Sequence, residues 1–257
     1  MKSLWNNNIT IYIVILGISI VVWVLLLFNP GHIMTVEHCH ASASGASYSS
    51  LKMLLQMNPF SAQLLGWGLM VIAMMLPKLI YPIQLIFAQS LKRNRFMNAF
   101  LFVLGYLAIW MFVGVFMIGI IMVSNLFMPM SYIPALGVLI IAVIWQFSPY
   151  KQKFLNLGHD HYILSAFGWD AARDALRYGL QHGIWCVGSG WALMLFPMLL
   201  PSGHNVAMIM VTFIMLSEHL ENPQYPEWKI NPRLKAVRYI IAQAKIKLMI
   251  LERSKSR

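Results

Sequence analysis

Residues 31–40 read Gly31-His32-Ile33-Met34-Thr35-Val36-Glu37-His38-Cys39-His40, which puts three imidazoles, a thiol, a thioether and a carboxylate in one short stretch. Each is a metal donor. Cys39 and Met34 are soft and favour Cu(I), whereas His32, His38 and His40 with Glu37 suit Zn(II) or Cu(II). The spacing matches no fixed finger pattern, so the competing reading is a polar loop whose histidines fall together by chance. A second set is His182 and Cys186, four residues apart and therefore on one face of any helix that carries them. Either they hold a soft metal, with Met194 or a donor from a neighbouring helix, or they are a buried thiol beside a hydrogen-bonded imidazole. Methionine is the third signal, with 19 residues in the chain. Met70 with Met74, Met194 with Met198, and Met208 with Met215 fall in helical register, as a thioether ladder for Cu(I) would, but Met also fills irregular gaps between helices. His159-Asp160-His161 is either an exit ligand set or a solvated loop.

Two ionisable residues stand inside apolar runs, where charge is expensive and faces a bundle interior or a cavity. Lys78, directly after Pro77, and Glu218 fall at similar depth, which predicts that they pair or share one polar cavity. The pair is either part of an ion path or a salt bridge that locks the bundle. The sequence has no Gly-rich phosphate loop, no nucleophile beside an evident base and no paired carboxylates. The expectation is a noncatalytic protein, not an enzyme.

These groups must be positioned by membrane helices. The chain is 59% hydrophobic with a mean hydropathy of +0.67, well above the apolar share of a soluble domain. A hydrocarbon core of about 30 Å takes about 20 helical residues, and six stretches qualify: 9–28, 60–88, 99–123, 132–147, 180–200 and 205–220. The fold class is therefore an all-α, polytopic transmembrane helical bundle of six TM helices. The second span is too long to stand upright and carries Pro77 and Pro82, so it is expected to kink or tilt.

The net charge of +11 is no sign of a nucleic-acid partner, because the basic residues cluster in alternate loops and the tail. Lys92, Arg93 and Arg95, Lys151 and Lys153, and the segment after Trp228 lie inside by the positive-inside rule. The alternate segments hold only Lys52. This predicts a multi-pass cell-membrane protein with both termini cytoplasmic and the lipid bilayer as its principal partner. Four parts follow: an N-terminal TM helix (1–28), an extracytoplasmic His/Cys loop (29–58), a five-helix TM core (59–221) and a basic cytoplasmic tail (222–257). The first apolar run could be a signal peptide, but the small-residue site at Ala41-Ser42-Ala43 lies too far past it, which favours an anchor helix. Residues 162–178 read as a cytoplasmic interfacial helix, and 233–257 as a basic amphipathic C-terminal helix on anionic lipid. Gly179 and Gly183, four apart, would permit close helix approach. Cys39 and Cys186 fall on opposite sides, so they are not expected to bridge.

Four ordered motifs add to this reading. They are Trp67-Gly-Leu-Met70-Val-Ile-Ala-Met74-Met75-Leu-Pro77, Gly105-Tyr106-Leu-Ala-Ile-Trp110, Trp145-Gln146-Phe-Ser-Pro149-Tyr-Lys151 and Cys186-Val-Gly188-Ser-Gly-Trp191-Ala-Leu-Met194. Together they resemble the family of predicted metal-binding integral membrane proteins sometimes labelled copper chaperones. The resemblance runs from about Trp67 to Glu221. It implies a cysteine pair after the Pro-x-Lys element and a Cys-Cys before the tryptophan, positions occupied here by Phe154, Leu157, Ser189 and Gly190. Either the site has shifted to Met and His ligands around Cys186, or metal binding has given way to a structural role.

The leading expectation is a protein that binds or handles copper, with zinc the lesser candidate: it collects the ion at the outer loop and relays it through Met and His groups. The alternative is a noncatalytic accessory subunit of a larger membrane enzyme, such as a copper-dependent oxidase or monooxygenase, with other subunits as partners. A small ion transporter comes third, because no inverted repeat appears.

Overall fold

A computed structural model describes residues 2–28, 52, 56, 59–128, 131–160, 162–165, 167–229, 233 and 235–255. The described residues are helical with short connections: α1 (Lys2–Phe28), α2 (Phe60–Met75), a 3-10 turn (Leu76–Leu79), α3 (Ile80–Gln89), α4 (Arg95–Phe127), α5 (Ile133–Gln146), α6 (Pro149–Leu157), α7 (Gly168–Met198), α8 (His204–His219) and α9 (Lys235–Lys255). The expectation of an all-helical protein holds.

Three segments are long and apolar enough to cross a membrane: Ile9–Phe28, Phe60–Gln89 and Arg95–Phe127. A fourth is added if α5 and α6, which meet at 70°, count as one broken span. The six expected spans are thus only partly matched, for physical reasons. At 16 residues, α8 rises about 24 Å, short of the hydrocarbon thickness. The apolar half of α7 is diluted by Gln181, His182, Gly183, Gly188, Ser189 and Gly190. Of these, His182, Gly183, Ser189 and Gly190 are buried, on a central helix that packs on α4, α5, α6 and α8.

The separate interfacial helix expected over 162–178 is instead the first half of α7, which runs unbroken for 31 residues. Glycines allow this. A Cβ on Gly179 would strike the Phe102 carbonyl of α4, one on Gly105 would come within 2.7 Å of the Leu176 carbonyl, and one on Gly183 would lie 3.0 Å from the Ile109 Cβ. The α4–α7 seam is therefore a near-backbone contact that extends on both sides of the expected boundary, and it holds the charged half of α7 in line with the apolar half.

The break between α2 and α3 follows from Pro77. Having no N–H, it cannot satisfy the Ala73 carbonyl. From α1, Ser19 donates to that carbonyl at 2.7 Å and Trp23 Nε1 at 3.1 Å. The first helix is thereby fastened to the kink by the groups that the kink left unsatisfied. Its other inward residues, Ile11, Ile15, Val22 and Leu26, form one helical stripe. Next along, Trp67 lies against Gly114, where a Cβ would overlap its indole, and donates to the Trp110 carbonyl at 2.9 Å.

Candidate functional site

His182 and Cys186 lie one turn apart in the middle of α7. The His182 ring is buried in an aromatic box: Phe102 at 5.9 Å, Tyr106 at 6.1 Å, Tyr178 at 5.9 Å and Trp185 at 6.4 Å between centroids. Its Nδ1 has no hydrogen-bond partner among the described residues. A buried ring nitrogen without a partner is expensive. Beside it, Tyr106 donates its hydroxyl to the Cys186 Sγ at 3.1 Å, so one tyrosine flanks the imidazole and touches the thiol. The Cys186 thiol is free and half-buried against the apolar core. Ser189 donates back to the Cys186 carbonyl at 2.9 Å.

The positions where the resemblance implies cysteines surround this turn. Phe154 on α6 covers Gly188, whose Cβ would enter its ring, and Met215 on α8 reaches Gly190. The α6–α7 seam is filled with an aromatic ring instead of thiolates. Met70, Met74 and Met194 are fully buried in the apolar core against which Cys186 packs. Among the described residues no group of three or more His, Cys, Asp or Glu side chains assembles as a metal site. The cluster of His32, Met34, His38, Cys39 and His40 lies outside the described residues, as does His161.

Glu218 is not paired as expected. Its cation is Lys151 of α6, fully buried, with Nζ 2.8 Å from Oε1. Lys151 also donates to Gln146 Oε1 at 2.6 Å, Gln146 Nε2 donates to the same carboxylate, and Arg233 Nη1 stands 3.8 Å away. Lys78 is buried nearby, close enough for its charge to act on Lys151, His182 and His219. The depth estimate was sound, but α6, bent back from α5, brings Lys151 round to Glu218.

Arg233 also donates to Gln152 at 2.9 Å and accepts from Ser217 through its carbonyl at 2.7 Å. The residue just before the C-terminal helix α9 is therefore clamped to the bundle. Burial lowers the Arg233 pKa, against the pull of Glu218 and Glu221. Below this layer His159 and His219 stack at 5.5 Å. At the start of α7 the Ser165 hydroxyl and N–H hold the Asp174 carboxyl below its ordinary pKa.

The sequence reading took Lys151 only as an inside marker and did not single out Gln146 or Arg233 for the site. Its one available signal was that Gln146 and Lys151 share a motif with Trp145, whose indole donates to the Gly188 carbonyl at 3.0 Å.

No curated protein and no solved structure matches the chain. Residues 64–231 match the family model PpoB2, described as copper chaperone. That match covers well over half of the chain and contains the α2 kink, the Tyr106–Cys186 contact and the Lys151–Glu218 pair, so this protein belongs to the PpoB2 copper chaperone family.

Proposed function

We propose that the chain spans the membrane six times with both termini inside, and that it carries Cu(I) as cargo on Cys186 and His182. The observation that supports this reading is the buried His182 Nδ1 without a partner, one turn from a thiol that the Tyr106 hydroxyl already contacts. Cu(I) is soft, accepts two or three ligands, and is well served by a thiolate and an imidazole. On binding, Cys186 loses its proton and His182 binds through a neutral nitrogen. The Tyr106 hydroxyl then stabilises the thiolate, since a hydrogen bond to an ionised acceptor is the stronger kind. The sixth span, α8, buries Met208, Val211 and Met215 against the bundle and turns Val206, Ile209 and Met210 outward to lipid. The loop at 29–58 is the collecting set at the outer face, and the protein is noncatalytic, handing its ion on by ligand exchange.

Protein purified from copper-supplied cells should hold near-stoichiometric copper by elemental analysis. Cys186→Ser or His182→Ala should remove most of it, and joint substitution of His38, Cys39 and His40 should lower uptake. Metal-free wild-type protein from the same cells would overturn the reading.

A noncatalytic accessory role is favoured by one feature. Helix α5 packs on α6 and α7, while Leu136, Ile140 and Ile144 face outward, which leaves a side for a client enzyme. Comigration with such an enzyme on a native gel tests it.

A further inference from the structure

Between α1, α3 and α4 lies a cleft of about 260 Å³. Its walls are almost wholly apolar, with Ile11 and Ile15 from α1, Ile83 and Phe87 from α3, and Phe96 and Val103 from α4 among them. The side is open, since Val14 and Phe100 line it and are more than half exposed. Along α1 it runs from Thr10 to Ile18, a rise of about 12 Å, most of the roughly 15 Å depth of one leaflet.

One end of the cleft is marked by charge. Phe87 and Phe96 meet edge to face at 5.3 Å where α3 turns into α4, and that turn carries Lys92, Arg93 and Arg95. Arg95 donates Nε to the Ser90 carbonyl at 3.0 Å, which fixes it beside Phe96. Lys92 and Arg93 are exposed, and neither has an acidic partner among the described residues. The α3 and α4 walls come from the ends of those helices that meet at this turn, and the α1 wall from its central stretch. The apolar trough and the cationic cluster therefore lie end to end, in the order of an acyl chain and its headgroup.

We infer that this cleft is a binding site for one anionic glycerophospholipid, its acyl chain between α1 and α4 and its phosphate beside Lys92, Arg93 and Arg95. A zwitterionic lipid would fill the trough but would gain less from three cations that form no salt bridge with an acid among the described residues. Two of those cations contribute about a factor of five each at a membrane surface, roughly thirtyfold together. The site does not involve the copper ligands. The inference rests on the proposed membrane placement, but the test uses purified protein, so its result does not depend on which face the turn occupies.

Full-length protein would be exchanged into phosphatidylcholine vesicles with and without phosphatidylglycerol, extracted, and weighed by native mass spectrometry. Phosphatidylglycerol should be retained as a single adduct in preference to phosphatidylcholine. The Lys92→Ala/Arg93→Ala variant alters only exposed side chains and should lose roughly thirtyfold of that preference while still unfolding at the wild-type temperature. Val14→Trp, which fills the open side, should lose the adduct altogether. Equal retention of the two lipids, a preference that survives removal of both cations, or an adduct that persists in Val14→Trp would each overturn the proposal.

Discussion

At the scale of the residue, Glu218 is the most exacting side chain in the structure. It is buried at 2% exposure opposite a Lys151 with none, and Gln146 and Arg233 complete its surroundings. A pair of this kind adds little net stability when intact, but removing one partner leaves a buried charge uncompensated. Glu218→Ala should lower stability by about 3–5 kcal/mol, read as thermal unfolding in detergent. Glu218→Gln keeps an acceptor for Lys151 and should lose less. Equal melting of wild type and Glu218→Ala would show that the pair carries no weight. The sequence predicts that Glu218 and Lys78 pair or share one polar cavity; the ion pair is made with Lys151, and Lys78 is buried nearby. Depth along a helix follows from counting residues, whereas the side a residue faces depends on how its helix is turned. For His182 and Cys186 the fourfold spacing was enough, because both sit on one helix and need no neighbour to bring them together.

Among the elements, α7 departs furthest from its expected form. Its glycines were read correctly as contact points, but the reach of that contact was not. Gly105 on α4 and Gly179 on α7 extend the seam into the charged half of the helix, which keeps 168–198 as a single rod. The Cβ added by Gly179→Ala would run into the Phe102 backbone, which cannot move aside as a side chain would. We expect a loss of about 2–3 kcal/mol. Gly119→Ala is the control. It lies in α4 with nothing within 4 Å of the added carbon, and the helix should tolerate the change or gain up to about 1 kcal/mol. Similar melting of the two variants would refute a backbone-close seam. Pro77 shows the opposite case, where an element boundary was legible. A proline in an apolar run removes a donor, and the kink is where the residue type says it must be. That Ser19 and Trp23 would satisfy the Ala73 carbonyl was not legible, since they are some fifty residues away in the chain.

For the whole molecule, the basic turn at 92–93 precedes α4 (Arg95–Phe127), and the basic helix α6 (Pro149–Leu157) follows α5 (Ile133–Gln146). The proposed topology puts both on the inner side by the positive-inside rule. A single cysteine placed at Ser202 in a chain lacking Cys39 and Cys186 should be labelled by a membrane-impermeant maleimide on intact cells, whereas one placed at Arg93 should react only after the membrane is opened. Labelling of Arg93→Cys on intact cells would reverse the topology and place the loop at 29–58 inside. The family match from 64 to 231 leaves out α1 and the whole of α9. Outside the matched residues stand a helix hydrogen-bonded to the kink and a basic helix that follows Arg233.

Composition, run length and spacing were enough for an all-helical membrane-type chain, its basic turns, the break at Pro77 and the shared face of His182 and Cys186. All of these are local, set by the hydropathy of a segment or by the pitch of one helix. The tertiary structure decided that Lys151 meets Glu218, that Tyr106 bridges ring and thiol, that Phe154 fills the seam where cysteines were implied, and that α1 leaves a cleft beside three cations. Each depends on how helices distant in sequence rotate and pack against one another, and a helical repeat carries no information about that rotation until the small and large side chains on both surfaces have been fitted together.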